Sequence, residues 1–482
     1  MHMVSSSKLR LVDNRSAPTA RPDPIDIVPA RHLTESKGKP HDVFHIDCSP
    51  TSSFIATKHS NNHVKMWSIA KNAVHSTTKI TSYFTPQARS REYFIRSHAI
   101  LSESATLLAV TTHFGFNLEI HNFSKANSSS KKMQTIDDAH RWAASKRDAY
   151  QTNYAPLVVY RPKPNRIDKF FLARHPNAKK PFWEDPSSAI ELERCGLPFV
   201  PKFPELAYSA NSPFLIAAAG PRHELNPGGM SSNNNSGNNV ILVAWQMTPV
   251  SENRLQARSP ADTMSIHSND SSSTYGDSRH APYRYIVPDY PALQNALPAV
   301  LAAHGSLSVS IWIPATHQDI PLPGNKFRRT PVSAPERFVL VWDLPSNSTR
   351  IFGIPNVQSC VSPDCRFVAY CDTARSAFVI VDVGSAEEVW RWPPDPGGAS
   401  PTSSGWASFN GQLENLSKVT VFEFSADSKM LVVGDTSGSL GVYQVKDEAP
   451  GHGPGGRYEL PPTGPSPTLP QQPWHKGINE LQ

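Results

Sequence analysis

Apolar residues in this chain come in short runs broken by small clusters of turn-forming polar residues. The clearest stretch is Val419 to Val445, where VTVFEF, KMLVV and SLGVYQV are separated by Ser-Ala-Asp-Ser and Gly-Asp-Thr-Ser-Gly. Runs this short, rich in Val, Phe and Tyr and bounded by Gly, Asp and Ser, predict consecutive antiparallel strands. A three-stranded meander standing alone leaves both of its faces wet. The segment should therefore fold only when stacked against copies of itself.

Copies are present at one spacing. Trp67 lies 18 residues after Ser49 in CSPTSSFIATKHSNNHVKMWSI, and Tyr443 lies 18 after Ser425 in the stretch above. Val381 lies 19 residues after Ser362, and His121 lies 19 after Ser102, in otherwise unlike segments. Each copy reads turn, apolar run, turn, apolar run, then a bulky slot. Two further copies are interrupted. YSANSPFLIAAAG starts one at Ser209, and its third strand, NNVILVAWQM with Trp245, arrives after an Asn/Ser/Gly-rich insertion from about Pro221 to Asn239. RFVLVWDL closes the other with the one Trp-Asp dipeptide, Trp342 and Asp343.

These units resemble degenerate WD40 repeats, whose third strand ends in Trp-Asp and whose second strand leads into a Gly/Ser/Asp turn. The repeats lack the family's Gly-His dipeptide, and most of their Trp-Asp slots read Trp-Ser, Trp-Gln, Val-Asp or Tyr-Gln. The resemblance implies an all-β chain folded as a seven-bladed β-propeller, or a six-bladed one should residues 154–200 prove to be an insertion. The structural signature of the repeats would then rest on Trp67, Trp245, Trp342, Asp343 and Tyr443.

Taken in order, residues 1–24 are polar and Pro-containing and are expected to be disordered. IDIVPARHL, Ile25 to Leu33, reads as a lone strand that closes the ring by joining the last blade. The first blade is expected from about Val43 to Ile80 and the second from about Tyr93 to Ile136. Asp137 to Tyr150 has acidic residues at its start and no Pro or Gly, which predicts a short surface helix. Residues 154–200 form an irregular third blade. The stretch from 248 to 280 holds almost nothing larger than Leu or Met and reads as a mobile loop, followed by YRYIVPDY as an outer strand. ALQNALPAVLAAHG, from Ala292, fits either a helix or an inner strand. The propeller spans 25–447, and 448–482 is a Pro/Gly-rich tail with P-x-x-P spacing at Pro462, Pro465, Pro467 and Pro470, suited to an extended left-handed helix.

Composition narrows the function more than it names it. Pro and Gly number 45 and 25 in 482 residues, and apolar residues make up 38%, which describes a folded core diluted by polar loops. The net charge of +6 is modest for this length and gives no strong case for nucleic acid. No N-terminal run is long enough for a signal peptide or a membrane span. Five cysteines, an odd set, fit a reduced intracellular chain, cytoplasmic or nuclear. Cys360, Cys365 and Cys371 lack paired metal-ligand spacing and read as core thiols. The sequence offers no nucleophile elbow, no phosphate-cradling Gly loop and no set of inward-facing carboxylates, so no catalytic, cofactor-binding or metal-ligating residues are expected.

The expected role is a noncatalytic platform for protein or peptide partners, its blade loops presenting a broad surface around a channel. One alternative rests on Lys326, Phe327, Arg328 and Arg329, which resemble the Phe-Arg-Arg-Gly signature of phosphoinositide-binding propellers. That likeness implies lipid head-group contact through Arg328 and Arg329 from a loop.

Overall fold

A computed structural model describes residues 25–35, 39–80, 96–112, 116–126, 128–149, 154–173, 180–220, 240–247, 280–294, 296–314, 317–322, 326–331, 334–394 and 412–447. The N-terminal 24 residues, the tail from 448, and the insertions at 221–239 and 248–279 lie outside them. Within them the chain forms seven sheets arranged as the blades of a propeller.

From inside to outside, blade 1 is Val43–Cys48, Phe54–His59, His63–Ser68 and Ala73–Lys79, and blade 2 is His98–Ser102, Leu107–Thr112, Asn117–Asn122 and Lys131–Ile136. Blade 3 is Arg141–Ala144, Leu157–Pro162, Asn165–Leu172 and Phe182–Glu184, and blade 4 is Glu205–Tyr208, Phe214–Ala219, Ile241–Gln246 and Arg284–Ile286. Blade 5 is Ala296–His304, Leu307–Pro314, Glu336–Asp343 and Ser348–Pro355, and blade 6 is Gln358–Val361, Phe367–Asp372, Ala377–Asp382 and Glu388–Trp392. Blade 7 takes Val419–Phe424, Met430–Asp435 and Leu440–Asp447 from the end of the chain and Ile25–Leu33 from its start. That outermost strand pairs antiparallel from Ile25 opposite Asp447 to Leu33 opposite Leu440, with a bulge between Pro29 and Arg31.

The core confirms that the sheets close a ring. Buried apolar side chains fall into seven clusters, and each cluster joins two neighbouring blades. The cluster between blades 7 and 1 holds Leu33, Val43, Trp67 and Val421, so the first and last blades are sealed like the others. A blade has two apolar faces and buries each against a different neighbour. This is why a lone meander would not fold and why both chain ends must meet.

The recurring serine closes the turn between first and second strands. Ser49, Ser362 and Ser425 each accept, through Oγ, the N–H of the residue five positions on (Phe54, Phe367, Met430), all at 2.9 Å. Three positions after each serine the chain takes a left-handed conformation, with φ of 60° at Ser52 and 61° at both Cys365 and Ser428. In two of the three copies the same hydroxyl also donates to an aspartate two positions on, Asp364 and Asp427.

Two expectations are corrected and one open choice is resolved. Asp137 to Tyr150 holds no described helix, because Arg141–Ala144 is the inner strand of blade 3 and Trp142, Ala143 and Ala144 are buried in its interfaces. Ala296–His304 resolves the open choice as a strand, with Pro298 tolerated because the register shifts between Pro298 and Val300. The Phe-Arg-Arg run is no loop: Lys326–Pro331 pairs with His317–Leu322 as a hairpin inserted between the second and third strands of blade 5.

Candidate docking site at the central channel

The seven inner strands surround a cavity of about 190 Å3. An inner strand has one unpaired edge, and four of the seven carry a register shift in their pairing with the second strand, between Val43 and His45, Ile100 and Ser102, Pro298 and Val300, and Val419 and Val421. Bulges twist the open edge and re-aim side chains toward the channel.

The lining is more highly charged than the runs of apolar residues suggested. Asp47 of blade 1, Arg96 and His98 at the entry of blade 2, Lys146 just beyond the inner strand of blade 3, Glu205 of blade 4 and Glu423 of blade 7 all border it, whereas blades 5 and 6 contribute apolar residues such as Ala302 and Val361. Asp47 ties three blades together: Oδ1 meets Lys146 Nζ at 2.7 Å, and Oδ2 accepts the Ile100 N–H at 2.9 Å. Burial opposes charge on Lys146, but the Asp47 carboxylate outweighs it and raises the ammonium's pKa. Glu205 lies 3.6 Å from Arg141 Nε, yet burial still pushes its carboxyl upward. Burial pushes Glu423 up to about 7, against the opposing pull of Lys146. His98 donates from Nε2 to the Ala56 carbonyl at 2.9 Å, and burial pulls its pKa down to about 4, so it is neutral at pH 7.

This gathering corrects the reading that no inward-facing carboxylates exist. Asp47, Glu205 and Glu423 are hundreds of residues apart and meet only because the ring closes. The signal that would have found Glu423 is its place in VTVFEF, a lone acid between two phenylalanines in a first strand. Asp47 in VFHIDC and Glu205 in ELAY follow the same pattern.

The repeat-signature aromatics lie elsewhere, between blades. Trp67, Trp245, Trp342 and Tyr443 are buried in the interface with the preceding blade in every case. Their polar atoms find different partners. In blade 1, Trp67 Nε1 donates to Thr57 Oγ1 at 2.8 Å, Thr57 Oγ1 lies 2.9 Å from His59 Nε2, and His59 Nδ1 donates to the His41 carbonyl at 3.1 Å. Burial holds His59 down to about 4, which keeps the neutral ring this relay requires. Trp245 donates to the His280 carbonyl and Trp342 to Asn347 Oδ1. Asp343 is spent on its own turn, accepting the Ser346 N–H at 3.3 Å.

On the blade 5 hairpin, the pairing register sets Arg329 opposite Asp319, Arg328 opposite Ile320 and Lys326 opposite Leu322. The five cysteines are free and buried, and burial raises their thiols, to about 11 at Cys195 and about 12 at Cys371. Among the described residues no three His, Cys, Asp or Glu side chains converge as metal ligands, and no helix is long and apolar enough to cross a membrane. No protein-family model and no curated protein matches the chain.

Proposed function

We propose that this propeller is a noncatalytic docking platform for protein or peptide partners, built on degenerate repeats of WD40 character. One observation carries the reading: the channel is bordered by charged side chains drawn from five blades, of which Asp47 is held by Lys146 and Ile100. The Trp67–Thr57–His59 chain in blade 1 supports the WD40 character. Buried, unpaired thiols fit a reducing, intracellular compartment.

Cross-linking mass spectrometry on the full chain tests this. A partner should cross-link beside the channel in the wild type and be lost in Glu423→Lys, while the variant's melting profile stays cooperative. Turnover of a substrate that disappears with Asp47→Asn or Glu205→Gln would replace the platform with an enzyme.

A second reading, contact with an anionic lipid surface, rests on the basic run Lys326, Phe327, Arg328 and Arg329, which the hairpin places on one paired strand. Arg328→Thr together with Arg329→Thr should abolish flotation with phosphoinositide liposomes. Absence of flotation by the wild type removes this reading.

A further inference from the structure

Two opposite charges bordering the channel are left over after the others pair. Arg96 enters ahead of the inner strand of blade 2 with its guanidinium over the Trp142 ring, 5.6 Å from the centroid. Its Nε is buried without a hydrogen bond, and no described carboxylate forms an ion pair with it. Glu423, between Phe422 and Phe424, makes no hydrogen bond or ion pair with any described residue. Both line the same cavity, and they do not meet.

Arg96 is held in place rather than left to swing. Thr111 Oγ1 donates to the Arg96 carbonyl at 2.6 Å and accepts from Trp142 Nε1 at 2.9 Å, so one hydroxyl fixes both the arginine's backbone and the ring beneath its guanidinium. A planar donor fork fixed over an aromatic face and facing a cavity is preorganised for a carboxylate. On the other side, burial raises Glu423 and Glu205 in spite of the cations around them, so the site's own charges do not neutralise its carboxylates. Neutral His98 adds no charge of its own.

We propose that the channel binds a group presenting a carboxylate and an ammonium close together, the carboxylate on Arg96 and the cation at Glu423. The chemistry is that of a free α-amino acid or of a peptide segment with adjacent acidic and basic side chains. The second source would make this site the anchor of the docking platform proposed above, and the inference rests on that reading to that extent.

Calorimetric titration of the full chain with L-alanine and with the end-capped peptide acetyl-Glu-Lys-amide separates the two sources. Acetate and ethylammonium serve as single-charge probes. One zwitterionic probe should bind in 1:1 ratio, and Arg96→Lys and Glu423→Gln should each weaken it about tenfold or more. Glu423→Gln keeps shape and removes a charge, so it reports on binding with the fold intact, which its melting curve verifies. The inference is overturned if neither zwitterion binds at millimolar concentration, if the Arg96→Lys, Glu423→Gln double variant binds like wild type, or if acetate alone binds as tightly as alanine. A null titration together with a partner still lost in Glu423→Lys would refute this ligand and leave the platform standing.

Discussion

Blade 6 turns from first to second strand on Ser362 and packs apolar side chains, Phe367, Ala369 and Cys371, from its second strand against blade 7. Blade 3 lacks that serine turn and buries a salt-bridge cluster instead. Asp168, fully buried on its third strand, meets Arg166 Nε at 2.6 Å and also Arg161, and both arginines reach Glu184 on the fourth strand at 3.3 and 3.5 Å. Both blades nonetheless present apolar faces to two neighbours. What makes a blade is therefore the pair of interfaces it fills. The repeat motif sets the geometry of one turn.

Two carboxylates that interrupt apolar strands, buried Asp168 and half-buried Glu423, sharpen this contrast, because one is ion-paired and one is not. Replacing Asp168 by Ala leaves two half-buried guanidinium groups sharing Glu184 and should cost about 3 kcal/mol, read as a loss of denaturant midpoint at unchanged slope. A cost below about 1 kcal/mol would mean that the cluster is not what holds blade 3.

Glu423→Gln should act in the opposite direction. Its carboxyl is raised from 4.5 to about 7 in the folded chain, so folding favours the protonated form. That preference is fully present below pH 4.5 and is lost as pH rises through 7. At pH 8 the glutamine variant should be more stable than wild type by roughly 1–3 kcal/mol, and at pH 4 the two should melt together. A variant less stable than wild type at pH 8 would show that Glu423 has a partner.

Smaller effects belong to the turns. Ser362→Ala and Ser425→Ala each remove one accepted hydrogen bond and one donated to the aspartate two positions on, and should cost about 1–2 kcal/mol by thermal unfolding. If either cost as much as Asp168→Ala, the motif would carry more of the blade than its interfaces do.

The contrast also explains what could be read from the chain. Blades 1, 6 and 7 were legible because Ser49, Ser362 and Ser425 repeat a local turn, and local geometry leaves a local pattern. The closing strand Ile25–Leu33 was legible for a related reason, as an apolar run with no adjacent partner. The inner strand of blade 3 was not, since WAA between polar residues resembles a helix until its neighbours are present. The channel was hidden for the same reason on a larger scale: Asp47, Arg96, Lys146, Glu205 and Glu423 have no sequence proximity and become one site only through ring closure.

Ring closure is thus the claim on which fold, channel and proposed ligand all depend, and a disulfide trap addresses it. Val28 and Gln444 are register partners across the closing strands, and antiparallel partners lie within the Cα separation a disulfide spans. The five native thiols are buried and should stay silent. In Val28→Cys, Gln444→Cys, mild oxidation should give a monomeric, faster-migrating species on a non-reducing gel with a raised melting temperature. Free thiols at both positions, or cross-links only between molecules, would contradict a ring closed by its own N-terminal strand.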